Sequence, residues 1–526
     1  MSLSLVRHSI VHQQDSLLLL ALFKLIWQKQ DVAITKREET MSALKAAVTM
    51  LVLPGLLLGL PSMQKAAKPG VQSESWPGWG GPMRDFNTDA KGLASVWPTD
   101  GPKRIWSRTL GEGHSSIIGE GGRLYTMYRP STGVRNSWKA EEVVIALEAS
   151  TGKTLWEYRY PTTLETMNFS RGAGPHSTPL LVGNRLFAAS SDKQFFALDK
   201  MTGKILWSHS FVKEYNALPN QMRWAVKPGY STSPMAYKEL MIASVGAPDR
   251  GVMAFRQDDG RVVWSAGNFS DIAPASPLLI NLDGEEQLIV TSGDGVHGFD
   301  PNTGKPIWEY LFPTKAGVNI SSPVWCPADR LLFVSCAYDG GSRVIQLSRS
   351  AGRTEAKELW FSNKMRVHFG NVLRIGDYFF GSSGDFGPSF LTAVNARTGQ
   401  VAWQDRSFSK VSFVRAGEKV ILLDEDGNLG LVNLTPDGLK ILSRAQIAQA
   451  VSWTVPTLIG TTLYVRDRVN VDGARCRRRQ KTIGPIGPVG PICPMSYPSA
   501  SRVVMSLQRM YTGAHRSLRG MLSCGP

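Results

Sequence analysis

The chain has 526 residues, 42% of them hydrophobic, five cysteines and a formal net charge of +16. That length buries a core large enough to stand without disulfides, and the apolar share excludes a wholly disordered chain. The charge does not mark a nucleic-acid binder: from Val471 onward there are nine Arg/Lys against one Asp, and residues 1–70 hold a further excess of four, so the middle of the chain carries only about a quarter of the total and presents no basic face.

Taken in chain order, residues 1–40 contain an apolar run, Leu17 to Trp27, broken by Lys24. Met41-Ser42-Ala43-Leu44-Lys45 then precedes an apolar stretch, Ala46 to Leu60, interrupted by Pro54-Gly55. A short basic start, an apolar centre and small residues near Ala66 and Ala67 are the form of a secretory signal peptide, so translation is expected to begin at Met41. The stretch is too short and broken to span a bilayer. Residues 1–70 are therefore read as extension plus signal, and the mature chain as periplasmic or secreted with no integral membrane span. No cysteine follows closely enough to take a lipid anchor.

From there a motif recurs: a small apolar residue, a polar turn ending in Gly, then a Trp. It ends at Trp106, Trp156, Trp207, Trp264, Trp308, Trp360 and Trp403, with spacings of 50, 51, 57, 44, 52 and 43 residues. Residues 178–210 show what one unit contains. Thr178 to Val182 is an apolar strand closed by Gly183-Asn184, Leu186 to Ser190 a second, Gln194 to Asp199 a third, and Met201-Thr202-Gly203 turns into a fourth, Ile205 to Ser210. Four short strands per repeat of this length predict an all-β, eight-bladed β-propeller of four-stranded antiparallel blades over residues 71–468. No run in this stretch has helical periodicity. The acidic turns Asp294-Gly295, Asp339-Gly340, Asp385-Phe386-Gly387 and Asp426-Gly427 read as hairpin turns, because no calcium-loop ligand ladder accompanies them. In blade five a hairpin turning near Ala328-Asp329 sets Cys336 opposite Ser321, too far from Cys326 for a disulfide.

Blade seven lacks its Trp. The eighth has a first strand at Trp453 to Ile459, a second at Leu463 to Arg466 and an outermost strand, Lys103 to Arg108, from the other end of the chain. Sharing a blade closes the ring and removes free edges. The segment after Arg468 does not repeat the third-strand pattern, so the last blade is expected to be incomplete and the seam the weakest part of the ring. Residues 469–526, with Arg477-Arg478-Arg479 and the run Gly484 to Pro491, read as a basic, Gly/Pro-rich tail, disordered or frameshifted.

In a propeller the innermost strands line an axial channel. Aligning first strands on Pro179, Pro234, Pro277, Pro323 and Pro456, the residue three places earlier is His176, Ser231, Pro274, Ile320 or Trp453, and by looser alignment His114, His368 and Val411. Arg171, Tyr230, Asn319, Arg366 and Asn371 lie close by in sequence. These residues predict a polar ring at the channel mouth able to meet an anionic or quinone-like ligand; a water-lined channel is the alternative. The histidines come from different sides of the ring, so a shared metal ion is not expected. Ser115 and Ser177 lack a nucleophile elbow, and no phosphate-binding loop is present.

The repeat Ala197-Leu198-Asp199-Lys200-Met201-Thr202-Gly203-Lys204-Ile205-Leu206-Trp207 resembles the pyrroloquinoline-quinone (PQQ) type propeller repeat. That repeat occurs in quinoprotein alcohol dehydrogenases and in the propeller subunit of the outer-membrane protein assembly machine. Trp76-Pro77-Gly78-Trp79-Gly80-Gly81-Pro82-Met83-Arg84-Asp85 is similar to the start of exported bacterial PQQ-like propellers. The resemblance implies that the seven repeat tryptophans are structural and dock against the neighbouring blade. It also implies that a dehydrogenase of this kind would carry calcium, a catalytic Asp and a vicinal Cys-Cys pair. The chain has no Cys-Cys, and no Glu/Asn/Asp set falls on matching motifs. The expected function is a non-catalytic binding or scaffold protein, monomeric, with an unknown protein partner or small ligand at the channel. The alternative is a PQQ- and calcium-dependent quinoprotein oxidoreductase of the alcohol dehydrogenase type.

Overall fold

Each Gly- or Asp-bearing turn returns the chain on itself after a few residues, and the result is eight consecutive antiparallel sheets, the blades of an eight-bladed propeller. The computed structural model describes residues 74–477, apart from 132–138, 164–171, 173, 220–228, 315–318, 320, 339, 386 and 450. Blade two shows the plan, with strands Leu180–Val182, Arg185–Ala189, Gln194–Asp199 and Ile205–Ser210 from the axis outward. The middle strands are buried on both faces, and the outer strand is half-exposed. A five-residue helix, Phe211–Tyr215, capped by Ser210, follows blade two. Among the described residues, no helix is long and apolar enough to cross a membrane. The blade-five register pairs Val324 with Phe333 and Cys326 with Leu331, as the hairpin near Ala328-Asp329 requires, and Cys326 and Cys336 are buried without a disulfide.

The repeat tryptophan does its work through a bulge. In blade two Ala197 pairs with Trp207 but Leu198 pairs with Ile205, and the extra residue turns the indole off the sheet. The ring then lies over the turn of the next blade. Trp156 Nε1 donates to Lys200 O at 3.0 Å, and a Cβ built on Gly203 would sit 2.5 Å from the Trp156 ring. Gly203 has φ +72°, a left-handed conformation that glycine alone adopts cheaply. The same pairing joins Trp106 to Ala149 and Gly152, Trp207 to Gln257 and Gly260, Trp264 to Pro301 and Gly304, and Trp360 to Ala396 and Gly399. Trp403 keeps the hydrogen bond, to Thr435 O. Trp308 departs from it: its N–H donates to Gln287 Oε1 in its own blade, and Gln287 Nε2 reaches Thr354 Oγ1 in blade five at 2.8 Å.

Two features differ from the sequence reading. The last blade is complete. Asn470–Arg475 is its third strand, paired on one side with Thr462–Arg466 and on the other with Lys103–Thr109, so that Thr109 faces Asn470 and Lys103 faces Arg475. This segment has no hairpin to follow, since its fourth strand comes from the other end of the chain, so the Asp-bearing turn that closes the repeat pattern is absent; residues 471–474 are all buried whatever their polarity. The propeller therefore runs past residue 468. In addition, blades one and seven each gain a fifth strand, Ser75–Trp76 and Asn87–Thr88, from one N-terminal segment.

Buried ionisable groups tie blades one, two and three together. Glu142 is fully buried, and its Oε2 accepts from Ser191 N at 3.1 Å and Tyr160 Oη at 3.2 Å. Burial pushes its carboxyl up to about 7, against the smaller opposing pull of Ser191 and Arg129. Lys193, also fully buried, donates Nζ to Val245 O at 3.1 Å, and burial pushes it down to about 7. The folded state thus holds the Glu142 proton from pH 4.5, where the unfolded chain releases it, up to 7, so this group's contribution to stability falls over that range. Lys193 does the reverse: the unfolded chain binds its proton first, and stability rises with pH from 7 to 10.5. Together they give a minimum near neutrality. Glu142→Gln is expected to flatten the fall between pH 5 and 7 in the urea midpoint while leaving the rise above 7; an unaltered acid-side slope in the variant would refute the assignment.

Candidate functional site

The inner strands are short because each begins right after a proline or its equivalent, and the residues before it run extended toward the axis. There they are stitched from blade to blade. Ser116 N donates to Thr178 Oγ1, Thr178 N to Ser233 Oγ, Ser233 N to Ser276 Oγ and Ser276 N to Ser322 Oγ, at 3.0–3.2 Å. A small hydroxyl at this position satisfies a backbone N–H that the three-residue strand leaves unpaired. Between blades six and seven Asn371 does the same twice, accepting from Phe413 N at 2.8 Å and donating to Phe413 O at 3.1 Å.

One end of the channel is crossed by the chain itself. Residues 75–88 pair with Gly119 and Glu120 of blade one, receive Leu181 N of blade two at Pro77 O, and end beside Arg415 and Ala416 of blade seven. On the way Arg84 donates to Pro234 O and Pro277 O, and Trp79 Nε1 to Ser322 Oγ. Gly80 and Gly81, at φ +81° and +76°, make the tight turn, and a Cβ on Gly81 would strike the Trp76 ring. The segment touches six of the eight blades at the level of the prolines and lies across the axis there.

The other end lies three residues earlier on each inner segment, about 10 Å away at 3.3 Å per residue. Here the structure brings together four of the residues expected at the mouth. His176 stacks on His114 (centroids 5.3 Å), His114 meets Trp453 (5.0 Å), Trp453 meets Phe369 (4.3 Å) and Phe369 meets His368 (3.6 Å). Tyr338 Oη closes the row against His368 Nε2 at 2.7 Å. Gly172 admits His114, since a Cβ there would lie 2.8 Å from Nε2. Trp453 Nε1 donates to Glu425 Oε2 at 3.0 Å, and Lys410 Nζ lies 3.6 Å from the same oxygen.

The remaining expected residues have other tasks. Tyr230 is buried against Phe211 and donates to Ser244 O, so it belongs to the core between blades two and three. Asn319 is buried, with Nδ2 on Ser292 O at 2.8 Å, and Asn371 is the inter-blade clip. Arg366 lies 3.7 Å from Asp385 and lines a separate cavity of about 300 Å³ with Lys364, Phe390 and Gln404. Arg171 and Ile320 lie outside the described residues. Tyr338, Glu425 and Lys410 were not among the expected site residues: Tyr338 and Glu425 sit on turns of blades five and seven, and Lys410 on the bend just before the inner strand of blade seven.

A planar quinone with calcium does not fit this mouth. Both ring contacts of the Trp453 indole are taken by the protein's own His114 and Phe369. The adjoining carboxylate, Glu425, is engaged by Trp453 and Lys410. Among the described residues, no cluster of three or more His, Cys, Asp or Glu is placed to hold a metal ion.

A family model described as outer membrane protein assembly factor BamB matches residues 90–217 and 140–405. The outer membrane protein assembly factor BamB of Burkholderia pseudomallei is 24% identical over 349 residues, which cover 62% of this chain and 76% of that protein. Quinoprotein alcohol dehydrogenase PedH of Pseudomonas putida is 30% identical over 131 residues, 23% of this chain and 19% of that one. Among solved structures, BamB from Moraxella catarrhalis is 17% identical with a TM-score of 0.48, covering 72% of this chain and 98% of that chain.

Proposed function

We propose a non-catalytic scaffold function, and the premise is family membership: the chain belongs to the PQQ-repeat propeller family described as outer membrane protein assembly factor BamB. On this reading it works in the periplasm of the bacterial envelope, holding a protein partner while outer membrane proteins are assembled. The observation that carries it is the rim of the propeller. The outermost strand of a blade has one unpaired edge, and the residue just before the repeat tryptophan points outward from it. In blades one, two, three and five that residue is Leu155, Leu206, Val263 or Leu359, each 42–47% exposed. Ile205 and Val262 add to the rim in blades two and three. Open strand edges bearing apolar side chains favour a partner that adds a strand or an apolar face.

The test is complementation in cells depleted of this protein, reading the fraction of outer membrane β-barrels that reach the folded, heat-modifiable form. Leu206→Asp with Val263→Asp is expected to leave the propeller folded and to restore less than a third of the wild-type yield. Full restoration would remove the rim from the mechanism. Titration of PQQ with and without calcium is expected to give no saturable heat; calcium-dependent saturation would instead favour the quinoprotein oxidoreductase.

A further inference from the structure

Six repeat tryptophans bond across a blade interface, and Trp308 reaches the next blade through Gln287, so seven of the eight interfaces hold a repeat tryptophan. The interface between blades seven and eight has none. Where the indole should stand, beside the bulge that pairs Leu431 with Ser443 and Val432 with Ile441, the residue is Ser443. The receiving turn is missing too, because the third and fourth strands of blade eight come from opposite ends of the chain and meet as Arg475 facing Lys103, with no hairpin between them. Both halves of the lock are absent at one place. What occupies that place is a cavity of about 1300 Å³, bordered by the segment from Ala94 to Arg104 and by blades seven and eight.

The cavity has a built lining. Trp97 is carried in by the N-terminal segment, its backbone N–H donating to Ser443 Oγ at 2.7 Å. Its indole is only 6% exposed, lines the cavity, and has an Nε1–H with no acceptor among the described residues. A buried indole N–H without a partner is uncommon, since its desolvation is uncompensated. Its accessible aliphatic lining is Val96 and Ile447, over the buried Leu463 and Val465. The rim is cationic: Lys103, Arg104, Arg475 and Arg477 stand against Asp100 and Asp472, and Asp472 is already taken by Arg104 at 3.3 Å.

We propose that this seam cavity binds a single-chain anionic amphiphile, a carboxylate head on an aliphatic chain. The chain lies along Val96 and Ile447, the head meets Lys103 and Arg475, and a small shift of Trp97 brings its unpartnered Nε1–H to the head. The anion replaces the lock, holding together the two chain ends that no hairpin joins.

Calorimetric titration of the full chain with sodium dodecanoate, below its micellar range, tests this. One molecule is expected to bind per chain. Acetate has the head without the body and dodecan-1-ol the body without the head; each is expected to bind at least tenfold more weakly. Lys103→Gln with Arg475→Gln is expected to weaken dodecanoate tenfold or more while leaving dodecan-1-ol unchanged. That second readout separates loss of the charge from loss of the fold. Trp97→Phe, which keeps the ring and removes the N–H, is expected to weaken dodecanoate severalfold. The proposal is overturned by absence of saturable binding, by equal affinity for dodecan-1-ol, or by dodecanoate affinity unchanged in the charge variant.

Discussion

Replacing Arg466 by Met is expected to lower the unfolding free energy by about 3–5 kcal/mol, the largest effect of any single side-chain change outside the aliphatic core. Arg466 belongs to blade eight, yet every acceptor it reaches lies in or just before blade one. Its Nη1 donates to Ser115 O, Thr126 Oγ1 and Met127 O at 2.6–3.0 Å, and Nη2 approaches Gly111 O at 3.4 Å. Its side chain is 1% exposed, and burial depresses the guanidinium to about 10, with Asp467 opposing that shift, so it stays charged at neutral pH. Met fills much of the volume but takes this donor from Thr126 Oγ1, Met127 O and Gly111 O, at about 1–3 kcal/mol for each group left unsatisfied, while Ser115 O keeps the Thr126 hydroxyl at 3.0 Å. Lysine has the charge without the planar fork and should fall between the two. Urea unfolding followed by tryptophan fluorescence measures the difference. A loss below about 1 kcal/mol would mean that water enters the seam and the arginine is not what closes it.

The second large effect is Gly203→Val. The left-handed backbone at φ +72° disfavours any L side chain by about 1–2 kcal/mol, and more for a β-branched one. The Cβ would also displace the Trp156 ring from its seat, adding an overpacking cost of about 1–3 kcal/mol. Gly352 separates the two contributions. It has φ +76°, and a Cβ placed there would meet nothing within 4 Å. Gly352→Val should therefore show the backbone cost alone, and Gly203→Val should exceed it by about 1–3 kcal/mol in the same assay. Equal losses would show that the indole yields freely and that the Trp–Gly contact is not a lock.

The repeat was legible because each of its residues answers to a local demand: Gly203 to a positive φ, Asp199 to a turn in which it accepts from Met201 N and Thr202 N, Trp207 to a bulge. A demand that arises between distant segments leaves no such mark. Asn470–Arg475 reads as non-strand alone, since its burial comes from Lys103–Thr109, more than 350 residues away in sequence. The site divides the same way. His114, His176 and Trp453 were found by counting back from a proline-equivalent position, and their rings do meet. Asn371 shares the neighbourhood but is committed to Phe413, and Tyr230 to Ser244, choices set by which neighbour offers a partner. Tyr338 and Glu425 approach from turns whose lengths differ between blades, and no count along the chain reaches them.

The clasp between Lys103–Thr109 and Asn470–Arg475 also sets a clock. A ribosome adding about 5–20 residues per second needs roughly 20–70 seconds to make the 361 residues between Thr109 and Asn470. Throughout that interval the early strand waits with its partner unmade, while blade after blade is finished beside it. If export delivers the chain unfolded, the same delay becomes a search, in which one end must find the other across those 361 residues. Within the last blade, birth order and closure order are therefore opposite: its first strand to be synthesised is the last to be paired.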